Sequence, residues 1–200
     1  MQRFVADRQS SCLRFNSLLC GRSHWGAYGD KMYNLLKKYN CNTIYHFTEK
    51  KNLKSIKDNE GLYSLAKINE MNLKDISYVS NDWSHDADSF KGLDSYIHLC
   101  FVKNEHPMAF KAVENNKDIV WLDINTAVLN FDGVLYTDDI ANKASVITLD
   151  NDTAKNTLDI EAIYKFLPFN EEGNRERKVA TYKYEILVPD FIPLNYIRFN

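Results

Sequence analysis

A glutamate interrupts the most strand-like stretch near the end of the chain, Tyr182-Lys183-Tyr184-Glu185-Ile186-Leu187-Val188, just ahead of the turn Pro189-Asp190. Aromatic and β-branched residues at this density predict a strand. A period of two puts Tyr182, Tyr184, Ile186 and Val188 on one face and Glu185, between Lys183 and Leu187, on the other. A carboxylate here works against strand propensity, and such local inconsistencies gather at functional sites. Held in a cleft, it stabilises a developing cation or takes a proton from a nucleophile. The ordinary alternative is a glutamate on the solvated face of an antiparallel strand.

A second polar group stands inside an apolar segment far upstream, His46 within Thr43 to Phe47. A lone strand histidine is more often a hydrogen-bonded core residue than a ligand contact. Here Thr48 is placed to cap a helix over residues 49 to 59, with Leu53 and Ile56 as its apolar stripe and Gly61 as its left-handed end. That arrangement sets His46 at the mouth of a strand-to-helix junction, where polar groups face ligands.

The remaining elements must bring these two segments together. Residues 1 to 30 mix Ser, Arg, Asn and Gly with scattered apolar side chains and read as an appendage; Asp30 is placed to cap a helix carrying Met32, Leu35 and Leu36. Tyr63 to Lys91 reads as a helix followed by a mobile loop. A central strand is predicted over Tyr96 to Val102, a short helix over Met108 to Val113, a strand over Ile119 to Ile124, and a glycine turn at Phe131 to Val134 before another strand. A helix over Thr157 to Phe166 then leads into the charged run Pro168 to Lys178, which reads as a loop delivering whatever it touches to Glu185.

Composition bounds the rest. The 200 residues are 44% hydrophobic and 26% charged, which fits one soluble domain with one core. No apolar run approaches the ~20 residues of a membrane span, and the first twenty residues lack a signal-type apolar core, which predicts a cytoplasmic protein. Cys12, Cys20, Cys41 and Cys100 show no CxxC spacing, and His98 and His106 lie eight residues apart with no third ligand, so no metal is expected. The net charge of -2 hides an asymmetry: residues 1 to 60 hold 11 Lys and Arg against 5 Asp and Glu, net +6, whereas residues 61 to 200 hold 14 against 22, net -8. A basic end is a nucleic-acid footprint or, more commonly, a solvated surface.

Three separated segments carry a resemblance: Ile44-Tyr45-His46-Phe47-Thr48 with Asn52 and Gly61-Leu62-Tyr63-Ser64; Gly92-Leu93-Asp94-Ser95-Tyr96-Ile97-His98-Leu99-Cys100-Phe101 with His106-Pro107-Met108; and Glu185-Ile186-Leu187-Val188-Pro189. In this order they resemble the DarT family of NAD-dependent ADP-ribosyltransferases that modify nucleic-acid bases. The resemblance covers about residues 43 to 197, leaving residues 1 to 42 as a partly helical N-terminal extension and 43 to 200 as the transferase domain. It implies an α+β fold with an ADP-ribosyltransferase-type split mixed β-sheet, flanking helices and an NAD cleft between the two halves.

By that resemblance Glu185 is catalytic, Tyr45, His46, Thr48, Asn52, Leu62, Tyr63 and Ser64 bind NAD, and His106, Met108, Arg175, Arg177 and Lys178 meet nucleic acid. His85 aligns with a family arginine that shapes the active site; being shorter and partly charged, it cannot reproduce a bidentate phosphate contact. The implied activity is transfer of one ADP-ribose from NAD, without metal, to a base of single-stranded DNA, as a toxin with a cognate antitoxin such as a macrodomain hydrolase. RNA or protein as the target, and a catalytically weakened NAD- or nucleic-acid-binding module, are the alternatives.

Overall fold

The computed structural model describes residues 31–73, 76 and 92–199. The first helix, α1 (Met32–Lys38), buries Met32 and Leu36 completely and follows Lys31, which makes no side-chain cap. Strand β1 (Thr43–Glu49) runs on past Thr48, and a 3-10 turn (Lys50–Asn52) precedes the shorter helix α2 (Leu53–Asp58). Thr48 is therefore a strand residue and not the expected cap; its Oγ1 accepts from Asn52 Nδ2 at 3.0 Å.

Gly61 is likewise no helix cap, because Glu60 takes the left-handed conformation (φ 59°) and Gly61 opens strand β2 (Gly61–Tyr63). The glycine is needed for space: a Cβ there would lie 2.2 Å from the carbonyl oxygen of Ile192 in strand β7 (Phe191–Pro193), which pairs with β2. Helix α3 (Leu65–Glu70) follows, capped by Ser64.

Strand β3 (Tyr96–Cys100), helix α4 (Pro107–Glu114), strand β4 (Ile119–Asn125), strand β5 (Leu135–Thr137), strand β6 (Glu185–Pro189) and strand β8 (Ile197–Phe199) complete the sheet. Six strands lie in the order β5-β6-β3-β1-β4-β8, and β2 with β7 forms a separate pair. The α+β fold with flanking helices is the one expected. Within it, a mixed sheet was expected, but all pairings of the described strands are antiparallel, most of them between strands that are not consecutive in the chain.

Alternation decides what each face carries. Ile97 and Leu99 of β3, Ile186 and Val188 of β6, and Ile44 of β1 enter the main core with α1, Leu122 and Ile124. The opposite face of β3 and β6 carries His98, Cys100, Glu185 and Leu187, with Leu187 packed on Leu93 and Ala141. The solvated-face alternative for Glu185 thus fails: both faces of β6 are covered. Each buried aliphatic side chain contributes roughly 1.5–3 kcal/mol, so the sheet is held mainly by these residues.

β1 registers with β4 along seven pairs, but with β3 at Tyr45–Cys100 alone. Past that pair the strands part, and the sheet is split at its centre. Among the described residues no helix is long and apolar enough to cross a membrane.

The strand over Tyr182 to Val188 begins later than its apolar pattern implies, at Glu185. The charged run before it is largely helix α7 (Asn174–Thr181), whose end consumes Tyr182, Lys183 and Tyr184 in hydrogen bonds to Val179, Ala180 and Thr181. Upstream, Asp159 breaks the expected single helix by capping α6 (Ile160–Tyr164) after α5 (Asn151–Thr157).

Candidate active site

Glu185 sits at the start of β6, opposite Cys100 of β3 and Thr137 of β5, and is 4% exposed. His98 lies two residues back along β3 on the same face, so the pair is diagonal across the ladder, and its Nδ1 is 2.7 Å from Glu185 Oε2. A carboxylate oxygen only accepts, so Nδ1–H donates. His106, immediately before α4, brings Nε2 to 3.2 Å from Oε1. Its Nδ1 accepts the Met108 amide at 3.3 Å, which leaves the hydrogen of the neutral ring on Nε2, facing the glutamate. That contact is close in distance but bent, and Nε2 completes no hydrogen bond to any described group.

Burying an unpaired carboxylate costs several kcal/mol. Burial pushes the Glu185 carboxyl up, but the His106 and His98 imidazoles that face its two oxygens outweigh it and hold the group at about 2. Glu185 is therefore a fixed negative charge at neutral pH. Cys100 beside it has its thiol pushed up, by burial and then by the Glu185 charge, and stays protonated.

His46 occupies the split between β1 and β3. Its Nδ1 donates to the His98 carbonyl at 2.9 Å, so a side chain takes up a carbonyl at the point where the strands separate. Burial drives the ring down to about 4, against the opposing effect of that hydrogen bond, and the neighbouring His98 imidazole lowers it further. At neutral pH the ring is uncharged, and with hydrogen on Nδ1 its Nε2 is a bare acceptor.

One cleft of about 230 Å³ joins these groups, lined by His46, Asn52, Tyr63, His98, His106 and Glu185. Thr48, Leu62, Ser64 and Met108 also line it. Asn52 and Thr48 are buried and bonded to each other, Ser64 is engaged as the cap of α3 through the Lys67 amide, and Tyr63 packs on Phe191 with ring centroids 4.4 Å apart.

Several site residues expected from the sequence lie elsewhere or act differently. Tyr45 is not among the residues that line the cleft: it lies opposite Asp123 and under Lys103. His106, expected at nucleic acid, is 2% exposed and serves Glu185. Arg177 is pinned by Asp159 at 2.7 and 3.2 Å, and Lys178 donates to the Ala162 and Ile163 carbonyls at the end of α6, so both tie α7 to α6. Arg175 is exposed. His85 lies outside the described residues.

His98 is the cleft residue that the sequence reading gave no site role, weighing it as half of an incomplete metal pair. Its alternation with Ile97 and Leu99 placed it off the core face; what was missing was the register that brings Glu185, 87 residues away, beside it.

Residues 45–198 match the family model described as "ssDNA thymidine ADP-ribosyltransferase, DarT". No curated protein sequence matches the chain. Among solved structures, Thermus sp. 2.9 DarT in complex with ADP-ribosylated ssDNA is 18% identical with a TM-score of 0.58, covering 78% of each chain. Thermosipho africanus DarTG in complex with ADP-ribose is 19% identical with a TM-score of 0.57, over 78% of this chain and 43% of that one. Thermus sp. 2.9 DarT in complex with NAD+ is 19% identical with a TM-score of 0.54, over 78% of this chain and 79% of that one.

Proposed function

We propose, from the premise that this chain belongs to the DarT family of ssDNA thymidine ADP-ribosyltransferases, that it transfers one ADP-ribose from NAD to a thymine of single-stranded DNA, with Glu185 as the residue that makes the transfer possible. The observation that carries this reading is a buried carboxylate, ionised and held by two imidazoles, in one cleft with a neutral histidine.

Breaking the bond between nicotinamide and ribose leaves positive charge on the ribose ring. A fixed carboxylate in a water-poor cleft stabilises that charge without reorganising, an effect worth ~10²–10³ in rate for a single well-placed group. His46 Nε2 is suited to accept a ribose hydroxyl hydrogen because the His98 carbonyl holds its tautomer. Leu62 and Tyr63 give the cleft an apolar wall with an aromatic ring for the nicotinamide.

For the nucleic acid, Arg177 and Lys178 are spent on α6. The segment before α7 instead presents Phe166, 89% exposed, and Phe169, 60% exposed, with the exposed Arg175 at the start of α7. Exposed aromatics suit base stacking, worth roughly 1–3 kcal/mol per base, so we assign substrate contact to these three. The finer reading of a cytoplasmic toxin restrained by a macrodomain-hydrolase antitoxin rests on the segments shared with the family.

The test is incubation with NAD and separate pools of single-stranded DNA, duplex DNA, RNA and protein, read by mass. Single-stranded DNA should gain one ADP-ribose at thymine, and Glu185→Gln should abolish the product. No adduct on any pool removes the reading, and an adduct on RNA or protein alone redirects it.

A further inference from the structure

We infer that Ser55 and Asn59 form a subsite of the cleft that reads the polar edge of one heterocycle of NAD, an edge on which an amino group stands next to an acceptor. The inference rests on the activity proposed above and adds to it a determinant of dinucleotide specificity.

Both residues belong to the end of α2. They lie four positions apart, so they share one face of the helix, and both line the cleft half-buried. Their mutual bonding fixes which atoms they offer. The Ser55 carbonyl can only accept, so the Asn59 atom 2.8 Å from it is Nδ2, and the same amide nitrogen donates to Ser55 Oγ at 3.1 Å. Asn59 Oδ1 is left over as an acceptor. The Ser55 hydroxyl, which accepts from Asn59, keeps its own hydrogen to donate, and neither atom has a further partner among the described residues. Thr48, Asn52 and Ser64 differ, since each of them is bonded within the protein to the groups already named.

One donor beside one acceptor matches a ligand edge of the reverse pattern. A carboxamide has it, in its carbonyl and amino groups, and so does adenine, in N1 and its amino group; NAD carries both. The helix that bears the pair packs against β2, whose Leu62 and Tyr63 form the apolar wall, and Ile56 of the same helix also lines the cleft. A flat ring held on apolar side chains is thereby met at its rim by two fixed polar atoms. A ligand of the wrong pattern leaves one of those atoms desolvated and unpaired, which is the strongest source of discrimination a neutral site has. A pair that merely finished α2 would be blind to the ligand's edge.

Calorimetry on the parent chain, Ser55→Ala and Asn59→Ala tests this with NAD and two analogues. In 3-acetylpyridine adenine dinucleotide a methyl replaces the carboxamide amino group; in nicotinamide hypoxanthine dinucleotide a carbonyl replaces the adenine amino group. The parent should bind one of the two about 10–100-fold more weakly than NAD, and the analogue rejected identifies the ring that is read. Asn59→Ala should narrow that gap to within about threefold by weakening NAD. Ser55→Ala keeps the carbonyl that Asn59 holds, so it should fold with an unchanged melting temperature and bind NAD about 10-fold more weakly. Equal binding of all three dinucleotides by the parent, a gap that persists in Asn59→Ala, or parental NAD affinity in Ser55→Ala would each overturn the assignment. No NAD binding by the parent removes the proposed function and the subsite together, whereas discrimination without transfer to single-stranded DNA removes the proposed function alone, so the two failures are distinguishable.

Discussion

Two parts of one sheet bury carboxylates, and they neutralise them differently. On the β3–β6 side, Glu185 is met by the imidazoles of His98 and His106. On the β1–β4–β8 side, Asp123 is met by Lys103 at 3.2 Å and Arg198 at 2.7 Å, and Glu49 by Lys117 at 2.9 Å and Lys51 at 3.2 Å. Lysine and arginine stay charged throughout the physiological range, so those pairs only hold strands together. The imidazoles meet Glu185 from inside the cleft, so that pairing belongs to the site and not to the strand framework. A buried ion pair is thus informative about chemistry mainly through the identity of its cation.

The largest effect expected from this contrast is on Glu185→Gln. The amide keeps the shape and loses the charge, so transfer should fall at least ~10²–10³-fold with NAD binding retained in calorimetry; near-parental transfer would place the chemistry elsewhere.

Acid titration of stability is the next test. Glu185 at about 2 lies below the unfolded value of ~4.3, so its stabilisation is present above that value and is lost as pH falls through the folded one. His46 at about 4 lies below the unfolded value of ~6.5, so the unfolded chain takes up a proton first and stability declines from about pH 6.5 to 4. Each shift corresponds to about 3 kcal/mol. Urea titrations across pH should show the upper decline in the parent and lose it in His46→Gln.

Asp123→Asn should cost a smaller 1–2 kcal/mol or so, because its partners are partly exposed and recover water, and it should leave transfer unchanged. Loss of transfer at constant stability would end the division between structural and chemical pairs. Smallest are the arginines. Arg177→Ala should cost about 0.5–1 kcal/mol and leave the salt slope of DNA binding unchanged, whereas Arg175→Ala should lower that slope by roughly 1. The reverse pattern would return Arg177 to the substrate.

Glu185 and His46 were legible as site candidates because each is a polar residue inside an apolar strand pattern. The short helix at Met108 and the strand at Ile119 were legible from proline, turn residues and apolar runs. Helix α7 was not, since Asn174-Arg175-Glu176-Arg177-Lys178 shows no apolar stripe; its charges face α6 and not solvent alone. Tyr182 and Tyr184 lengthened the apparent strand for the same reason. Register between distant strands leaves no local trace, and so the approach of His98 and His106 to Glu185, which depends on it, was not legible.

The pairing of β6 with β3 also sets when the molecule becomes active. Cys100 meets Glu185 across 85 positions of sequence, β7 pairs with β2 from farther still, and β8 pairs with β4 from nearly as far. Such distant contacts close slowly and late. A chain emerging from the ribosome therefore carries His46 and His98 without their carboxylate until residue 185 has left the exit tunnel. The nascent protein is inert through most of its synthesis, and catalytic competence arrives together with the finished sheet.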